Sequence, residues 1–118
     1  MELTYYTYPT CSTCRKAKKW LEMKGHTLKE VHLVNETPTA EELRDLIKRS
    51  GLPIKSFFNT RGKKYRELGL KEKYDTLTDE ERLELLASDG MLIKRPIVAS
   101  PTTVTVGFKE PEFEVIWG

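Results

Sequence analysis

Residues 3–15, LTYYTYPTCSTCR, bring together a Tyr- and Thr-rich segment, a proline and two closely spaced cysteines. The composition of residues 3–8 favours a β-strand. Pro9 cannot continue that strand, and Cys11 and Cys14 follow in the turn behind it. The stretch therefore predicts that the chain leaves a strand and enters its next element through a pair of thiols.

The segment after the cysteines has the periodicity of an amphipathic helix over residues 15–24. Its apolar face is formed by Ala17, Trp20 and Leu21. Gly25 is well placed to end the helix, and residues 27–34 predict a second strand. Strand, helix and strand in this order predict a βαβ unit with the cysteines at its first turn.

The middle of the chain predicts further helices rather than strands. Residues 39–42 (TAEE) and 78–81 (TDEE) are capping boxes, each followed by leucines at helical spacing. We treat residues 39–90 as a helical insertion. Within it, the basic stretch over residues 61–66 is expected to be solvated.

The end of the chain predicts a hairpin and a short helix. Residues 97–100 and 103–106 read as strands joined tightly at Pro101, and Pro111 begins a helix. The apolar face of that helix is assigned to Phe113, Ile116 and Trp117. The order βαβ, helices, ββα predicts an α/β thioredoxin-like sandwich with a helical insertion, as one domain over residues 1–118.

Composition indicates which binding partners and which cellular compartment to expect. The 118 residues carry 20 Lys and Arg against 18 Asp and Glu, a net charge of +2, so we expect neither a direct nucleic-acid partner nor a membrane partner. No apolar run has the length of a membrane span or of a secretory signal, so we expect a cytoplasmic monomer. Thiols stay reduced in the cytoplasm, which favours a redox or metal role for the two cysteines over a permanent disulfide.

The cysteine pair has the spacing of a redox-active dithiol. Cys11 falls at the start of a helix, where free N–H groups and the helix dipole favour a thiolate, and Arg15 adds a positive charge one turn later. The small Ser12 and Thr13 leave the sulfur accessible. We therefore assign Cys11 as the attacking thiol and Cys14 as the thiol that resolves a mixed disulfide, with a Cys11–Cys14 disulfide as the product.

Two other interpretations of the cysteines stay open. Both could be buried packing residues, because cysteine is often buried. With His26 and His32 they also form the spacing C-x2-C-x11-H-x5-H, which is close to that of a zinc finger. A finger carries its histidines on the helix, whereas both histidines here follow the predicted helix stop, so we expect no metal site.

Four separate motifs resemble the ArsC/Spx family, which includes arsenate reductases, YffB-type proteins and Spx-type regulators. They are residues 5–15 (YYTYPTCSTCR), 59–62 (NTRG), 93–97 (IKRPI) and 106–108 (VGF). The resemblance implies a thioredoxin-like fold with a helical insertion. It also implies an oxyanion site of Arg15, Arg61 and Arg95 around Cys11, which suits the fork geometry of guanidinium groups.

The same resemblance describes the surroundings of the thiols and their reductant. It implies a cis peptide before Pro96, opposite the cysteine, with Thr10, Ser12 and Thr13 as structural neighbours of the site. It implies no bound cofactor, and glutathione with glutaredoxin, or thioredoxin, as reductant. Lys94 is expected to be a solvated neighbour of Arg95.

Two departures separate the chain from the arsenate-reducing branch. The segment after the hairpin, VGFK, has Lys109 where a further arginine is expected, and Cys14 stands where those enzymes have no second cysteine. We therefore expect slow or absent arsenate reduction, and a small thiol or a protein disulfide as partner.

Three functional hypotheses follow, and the sequence favours the first. The chain is a thiol–disulfide oxidoreductase, glutathione-dependent or arsenate reductase-like. Alternatively it is an Spx-like redox-sensing transcriptional regulator that binds the C-terminal domain of the RNA polymerase α-subunit, or a family member whose disulfide has no catalytic use. The regulator hypothesis calls for a glycine at the position of Pro53, and proline changes the backbone there.

Overall fold

The computed structural model describes residues 1–118 and contains a four-stranded mixed sheet. Its strands are β1 (Glu2–Thr7), β2 (Thr27–His32), β3 (Ile97–Ala99) and β4 (Val104–Val106), in the order β2-β1-β3-β4. β1 pairs in parallel with β2 and antiparallel with β3, and β3 pairs antiparallel with β4. The predicted βαβ and hairpin units therefore share one sheet, with β1 at its centre.

Six α-helices surround the sheet. They are α1 (Ser12–Met23), α2 (Ala40–Ser50), α3 (Lys63–Glu67), α4 (Leu70–Lys73), α5 (Asp79–Ser88) and α6 (Glu110–Ile116), with 3-10 turns at Ile54–Phe57, Tyr74–Thr76 and Gly90–Leu92. Both predicted capping boxes are present, with Thr39 and Thr78 as the caps of α2 and α5. None of these helices combines the length and the apolar character needed to cross a membrane.

The two faces of the sheet bury two separate cores. On one face α1 and α6 cover β1 and β3, through Leu3, Tyr5, Ala17, Leu21, Val98, Phe113 and Trp117. On the other face the segment from α2 to the last 3-10 turn packs against Ile97, Ala99 and Val104, with Phe57 and Phe58 fully buried. The predicted α/β sandwich with a helical insertion is confirmed.

Apart from small shifts at the ends of other elements, three details differ from the sequence prediction. The second strand ends at His32 rather than residue 34, because the chain turns there: the His32 carbonyl accepts a hydrogen bond from the N–H of Glu36 at 2.7 Å. Ile116 was assigned to the inner face of the last helix, but it is 40% exposed since Phe113 and Trp117 alone reach the sheet. Tyr65 lies within the stretch predicted to be solvated, yet its ring is buried against Phe58.

Candidate functional site

Cys11 is the N-cap of α1 and lies half-buried at the surface. Its backbone is extended, with φ −82° and ψ 111°, and its Sγ accepts a hydrogen bond from the backbone N–H of Cys14 at 3.3 Å. The carbonyl of Tyr8 accepts from the N–H of Cys11 at 3.0 Å, which fixes the turn after the strand. An N–H group directed at the sulfur from a helix N-terminus is the arrangement that stabilises an anion in this position.

Cys14 lies behind Cys11 and is only 1% exposed. Burial, followed by the hydrogen bond and charge of Cys11, raises the pKa of the Cys14 thiol to about 11. The buried hydroxyl of Tyr5 donates a hydrogen bond to the Cys14 carbonyl and so ties the centre of the sheet to the first turn of α1. The two thiols are free and differ sharply in access, since Cys11 is half-buried at the surface and Cys14 is buried.

A depression of about 290 Å³ lies directly beside Cys11. Its lining residues come from four parts of the chain and comprise Cys11, Thr13, Asn59, Lys94, Arg95, Val106, Gly107, Phe108 and Lys109. Three of these side chains are cations and none is a carboxylate. The depression therefore suits the negatively charged part of a substrate whose reacting atom lies at Cys11.

Arg95 is held in place from two sides. Its guanidinium carbon lies 5.0 Å from the centroid of the Tyr8 ring, and its Nη1 donates to the carbonyl of Ile93 at 3.3 Å. The next residue, Pro96, is buried, and the Arg95–Pro96 peptide is cis, as the resemblance implied. The Pro96 carbonyl accepts from the N–H of Gly107 at 2.8 Å, which joins the two walls of the depression.

Lys94 and Lys109 belong to the same depression. Lys109 stands where the resemblance called for a further arginine, whereas the placement of Lys94 at the site was not predicted. Lys94 is exposed, as expected, but it borders the space beside Cys11. Gly107 has a φ of +81°, and a Cβ there would come within 3.2 Å of Lys94 Cε, so the glycine leaves room for the lysine chain. Asn59, next to the NTRG arginine, also lines the depression.

The other predicted site residues occupy different positions. Arg61 lines an adjoining depression of about 450 Å³ rather than the one at Cys11. Arg15 is directed away, with Nη1 donating to the carbonyl of Pro9 at 3.1 Å. Thr10 and Ser12 are exposed beside Cys11 without lining its depression. The roles assigned to these residues, and to Arg95, stay predictions.

The histidines have structural contacts of their own. Nε2 of His26 lies 2.6 Å from the carbonyl of Trp117, and Nδ1 of His32 accepts from the backbone N–H groups of Val34 and Asn35. No three His, Cys, Asp or Glu side chains lie close enough together to hold a metal ion. The zinc-like spacing in the sequence is not matched by a cluster in space.

Comparison with known proteins shows the family to which this fold belongs. A sequence profile of the ArsC family matches residues 6–116, nearly the whole chain. The chain belongs to the ArsC family. YusI of Bacillus subtilis is 58% identical over 99% of both chains. The regulatory protein MgsR of the same organism is 35% identical, over 94% of this chain and 86% of its own.

Solved structures show the same likeness. An ArsC family related protein from Bacteroides fragilis is 48% identical and has a TM-score of 0.93, covering 98% of this chain and 97% of its own. An arsenate reductase from Vibrio cholerae is 26% identical with a TM-score of 0.85, over 98% of this chain and 96% of its own. The chain is thus similar both to proteins described as reductases and to proteins described as regulators.

Proposed function

We propose that the protein is a dithiol–disulfide oxidoreductase in which Cys11 attacks and Cys14 resolves. The observation that supports this most directly is the unequal access of the two thiols. Cys11 borders a cationic depression, whereas Cys14 is buried one helical turn behind it with its N–H on the Cys11 sulfur. A substrate sulfur can therefore reach Cys11, and Cys14 can reach only Cys11.

The reaction consists of two thiol–disulfide exchanges. The Cys11 thiolate attacks a substrate disulfide R–S–S–R′, forms a Cys11–S–S–R bond and releases R′–S⁻. Cys14 then attacks Cys11 Sγ, forms the Cys11–Cys14 disulfide and releases R–S⁻. The Cys14 proton passes to a leaving thiolate, the substrate gains two electrons, and the dithiol loses them. Thioredoxin, or two molecules of glutathione, returns the dithiol to its reduced form.

The raised pKa of Cys14 suits the order of these steps. While Cys11 is free, its hydrogen bond and charge add to burial in holding Cys14 protonated. A mixed disulfide on Cys11 carries no thiolate charge, so that contribution is lost and Cys14 ionises more readily at that stage. Cys14 is thereby kept from reacting before the substrate is bound to Cys11.

Arg95 and Lys109 serve to orient an anionic group of the substrate. Both line the depression at Cys11, whereas Arg61 and Arg15 lie outside it. One guanidinium and the two ammonium groups of the depression give less bidentate contact to a tetrahedral oxyanion than a set of arginines. This favours carboxylate-bearing thiols or protein disulfides over arsenate, with the protein acting as a cytoplasmic monomer.

Trapping with the two serine variants tests the assignment. Cys14→Ser retains the accessible thiol and loses the resolving one, so it should accumulate mixed disulfides with its partners, detected by non-reducing electrophoresis and mass spectrometry. Cys11→Ser is the matched control and should accumulate none. Equal trapping by both variants, or trapping by Cys11→Ser alone, would refute the assigned roles.

Redox regulation of transcription is the second candidate, and the 35% identity to the regulatory protein MgsR favours it. In this case the Cys11–Cys14 disulfide would act as a switch for binding the C-terminal domain of the RNA polymerase α-subunit. Pro53, at the start of the first 3-10 turn, is extended with φ −69° and ψ 156°, and it occupies the position at which the regulator hypothesis calls for a glycine. Titration of oxidised and reduced protein against the purified α domain, with disulfide reduction measured in parallel, separates the two functions.

A further inference from the structure

Two further depressions adjoin the one at Cys11 in sequence, each sharing lining residues with the one before it. The depression at Cys11 shares Asn59, Lys94 and Lys109 with the second depression, of about 450 Å³. The second shares Thr60 with a third depression of about 570 Å³, formed by the segment from the first 3-10 turn to α4. Because neighbouring depressions share lining residues, we treat the three together and call them the basic groove. A fourth depression, of about 270 Å³, also shares Asn59 and Arg95 with the first, but it contains the ion pairs Lys63–Glu67 and Lys64–Asp89 and is not counted in the basic groove.

Cations line the basic groove along its whole length. Lys94, Arg95 and Lys109 line the end at Cys11, and Arg61 lines the middle. The far end is lined by three further cations, Lys55, Arg66 and Lys71. Glu72, at the far end, is the one carboxylate in the lining of the three depressions.

None of these seven cations is paired with a carboxylate. Elsewhere on the surface the cations do form ion pairs, as in Lys63–Glu67, Lys64–Asp89 and Arg82–Asp79. The whole chain has a net charge of only +2, so the positive charge in the basic groove reflects local placement. An unpaired row of cations in a concave surface attracts a ligand with several negative charges.

We propose that the basic groove binds an acidic polypeptide segment that lies next to the reactive cysteine of a partner protein. This rests on the proposed function, because Cys11 at the end of the basic groove marks where the partner's sulfur must lie. A small thiol seated at Cys11 fills only the first depression and leaves Arg66 and Lys71 unused. A nucleic acid could follow the cations, but it carries no sulfur for Cys11.

Direct binding tests the inference without depending on catalysis. The protein is the Cys11→Ser, Cys14→Ser double variant, and the probe is a fluorescein-labelled peptide of about ten residues rich in glutamate and aspartate. A glutamine- and asparagine-substituted peptide of the same length is the control probe. Anisotropy should show saturable binding of the acidic peptide alone, weakening as NaCl is raised because the contacts are between exposed charges.

Substitutions at the far end locate the binding surface. Adding Lys55→Gln, Arg66→Gln and Lys71→Gln should raise the Kd of the acidic peptide about tenfold, if each exposed charge pair contributes a fraction of a kcal/mol. Adding Lys19→Gln, Lys29→Gln and Lys48→Gln removes the same charge from exposed, unpaired sites outside the basic groove and should change the Kd less than twofold. Equal weakening by both triple variants, or no binding, would overturn the proposal.

Kinetics with intact cysteines separates this inference from the proposed function. The acidic peptide and its neutral counterpart, each with a cysteine in mixed disulfide with 2-mercaptoethanol, are compared with 2-hydroxyethyl disulfide. The far-end variant should raise KM for the acidic peptide about tenfold, with little change in kcat or in reduction of 2-hydroxyethyl disulfide. Loss of reduction of every disulfide refutes the proposed function, whereas equal KM values for the two peptides refute the acidic-segment inference alone.

A nucleic-acid probe completes the test. A labelled single-stranded oligonucleotide of about ten nucleotides is titrated under the same conditions as the acidic peptide. If the oligonucleotide binds more tightly than the peptide, and loses that affinity in the far-end variant alone, the basic groove is a nucleic-acid surface and the polypeptide proposal is wrong. Weaker binding than the peptide supports the proposal.

Discussion

The buried hydroxyl of Tyr5 donates one hydrogen bond, and its contribution to the free energy of unfolding depends on pH. The substitution Tyr5→Phe measures that contribution. Tyr5 is fully buried in the centre of the sheet and donates to the carbonyl of Cys14. Burial, followed by the charges of Cys14 and Cys11, raises the pKa of Tyr5 well above its ordinary 10.0. The phenylalanine ring fills the same space but has neither the hydrogen bond nor a proton to lose.

The expected difference in free energy of unfolding between the wild type and Tyr5→Phe follows from the lost hydrogen bond and the lost proton. At pH 7 the variant loses one buried hydrogen bond, so its free energy of unfolding should fall by about 1 kcal/mol. Above pH 10 the unfolded wild type releases the Tyr5 proton while the folded wild type retains it, so wild-type stability falls as pH rises. At pH 11 this cost is about 1.4 kcal/mol, which Tyr5→Phe does not incur. The two proteins should therefore become about equally stable near pH 11.

Urea unfolding followed by circular dichroism at pH 7, 9, 10 and 11 measures this difference. Other ionisations affect both proteins alike, so the difference between them isolates Tyr5. Tyr8→Phe is the control at pH 7, where it should change stability by less than about 0.5 kcal/mol because the Tyr8 hydroxyl makes no hydrogen bond within the protein. If the free energy of unfolding of Tyr5→Phe stays below that of the wild type by the same amount from pH 7 to pH 11, the hydroxyl is not buried and protonated as argued.

Three further predictions concern the fold and the resolving thiol. Gly90→Ala should lower the free energy of unfolding by more than about 2 kcal/mol in urea titrations. The reason is that the alanine Cβ would lie 2.0 Å from the carbonyl oxygen of Leu33. A near-neutral result would contradict that contact. Thr39→Ala should lower the free energy of unfolding by about 1 kcal/mol in the same urea titrations, because α2 loses its N-terminal cap. An unchanged free energy of unfolding would show that the cap contributes nothing. In Cys11→Ser, iodoacetamide should alkylate Cys14 more slowly at pH 7 than a free thiol, because burial, the largest cause of its raised pKa, is still present, and the rate should rise with pH. Alkylation at the rate of the free thiol would show that Cys14 is accessible.

Features set by residues close together in the chain could be predicted well. The two capping boxes, the end of the first helix at Gly25 and the order of strands and helices all depend on contacts within a few residues. The motif resemblance extended this to the cis peptide before Pro96. The end of the second strand was misplaced because the chain turns at His32, whose carbonyl accepts from the N–H of Glu36, and the apolar Leu33 and Val34 do not reveal that turn.

The charged surroundings of the thiol could be predicted only in part, since the resemblance named Arg95, which lines the depression, together with Arg15 and Arg61, which do not. Arg15, close in sequence to Cys11, is directed to the carbonyl of Pro9, whereas Lys94 and Lys109, far away in sequence, line the depression beside the sulfur. A side chain's direction depends on which groups pack around it. The side chain of Lys94 lies beside Gly107, which follows the hairpin in the chain. No local sequence pattern connects either residue to Cys11.

The sequence by itself determined that two thiols separated by two residues stand between a strand and a helix, since that arrangement needs only local backbone preferences. The tertiary structure alone decided that Cys11 is accessible while Cys14 is buried, because the sheet and the Tyr5 hydroxyl hold the first turn of α1 with one sulfur outward. It also decided which cations surround Cys11, because packing of the helical insertion and the hairpin loop against the same end of the sheet brings distant residues together.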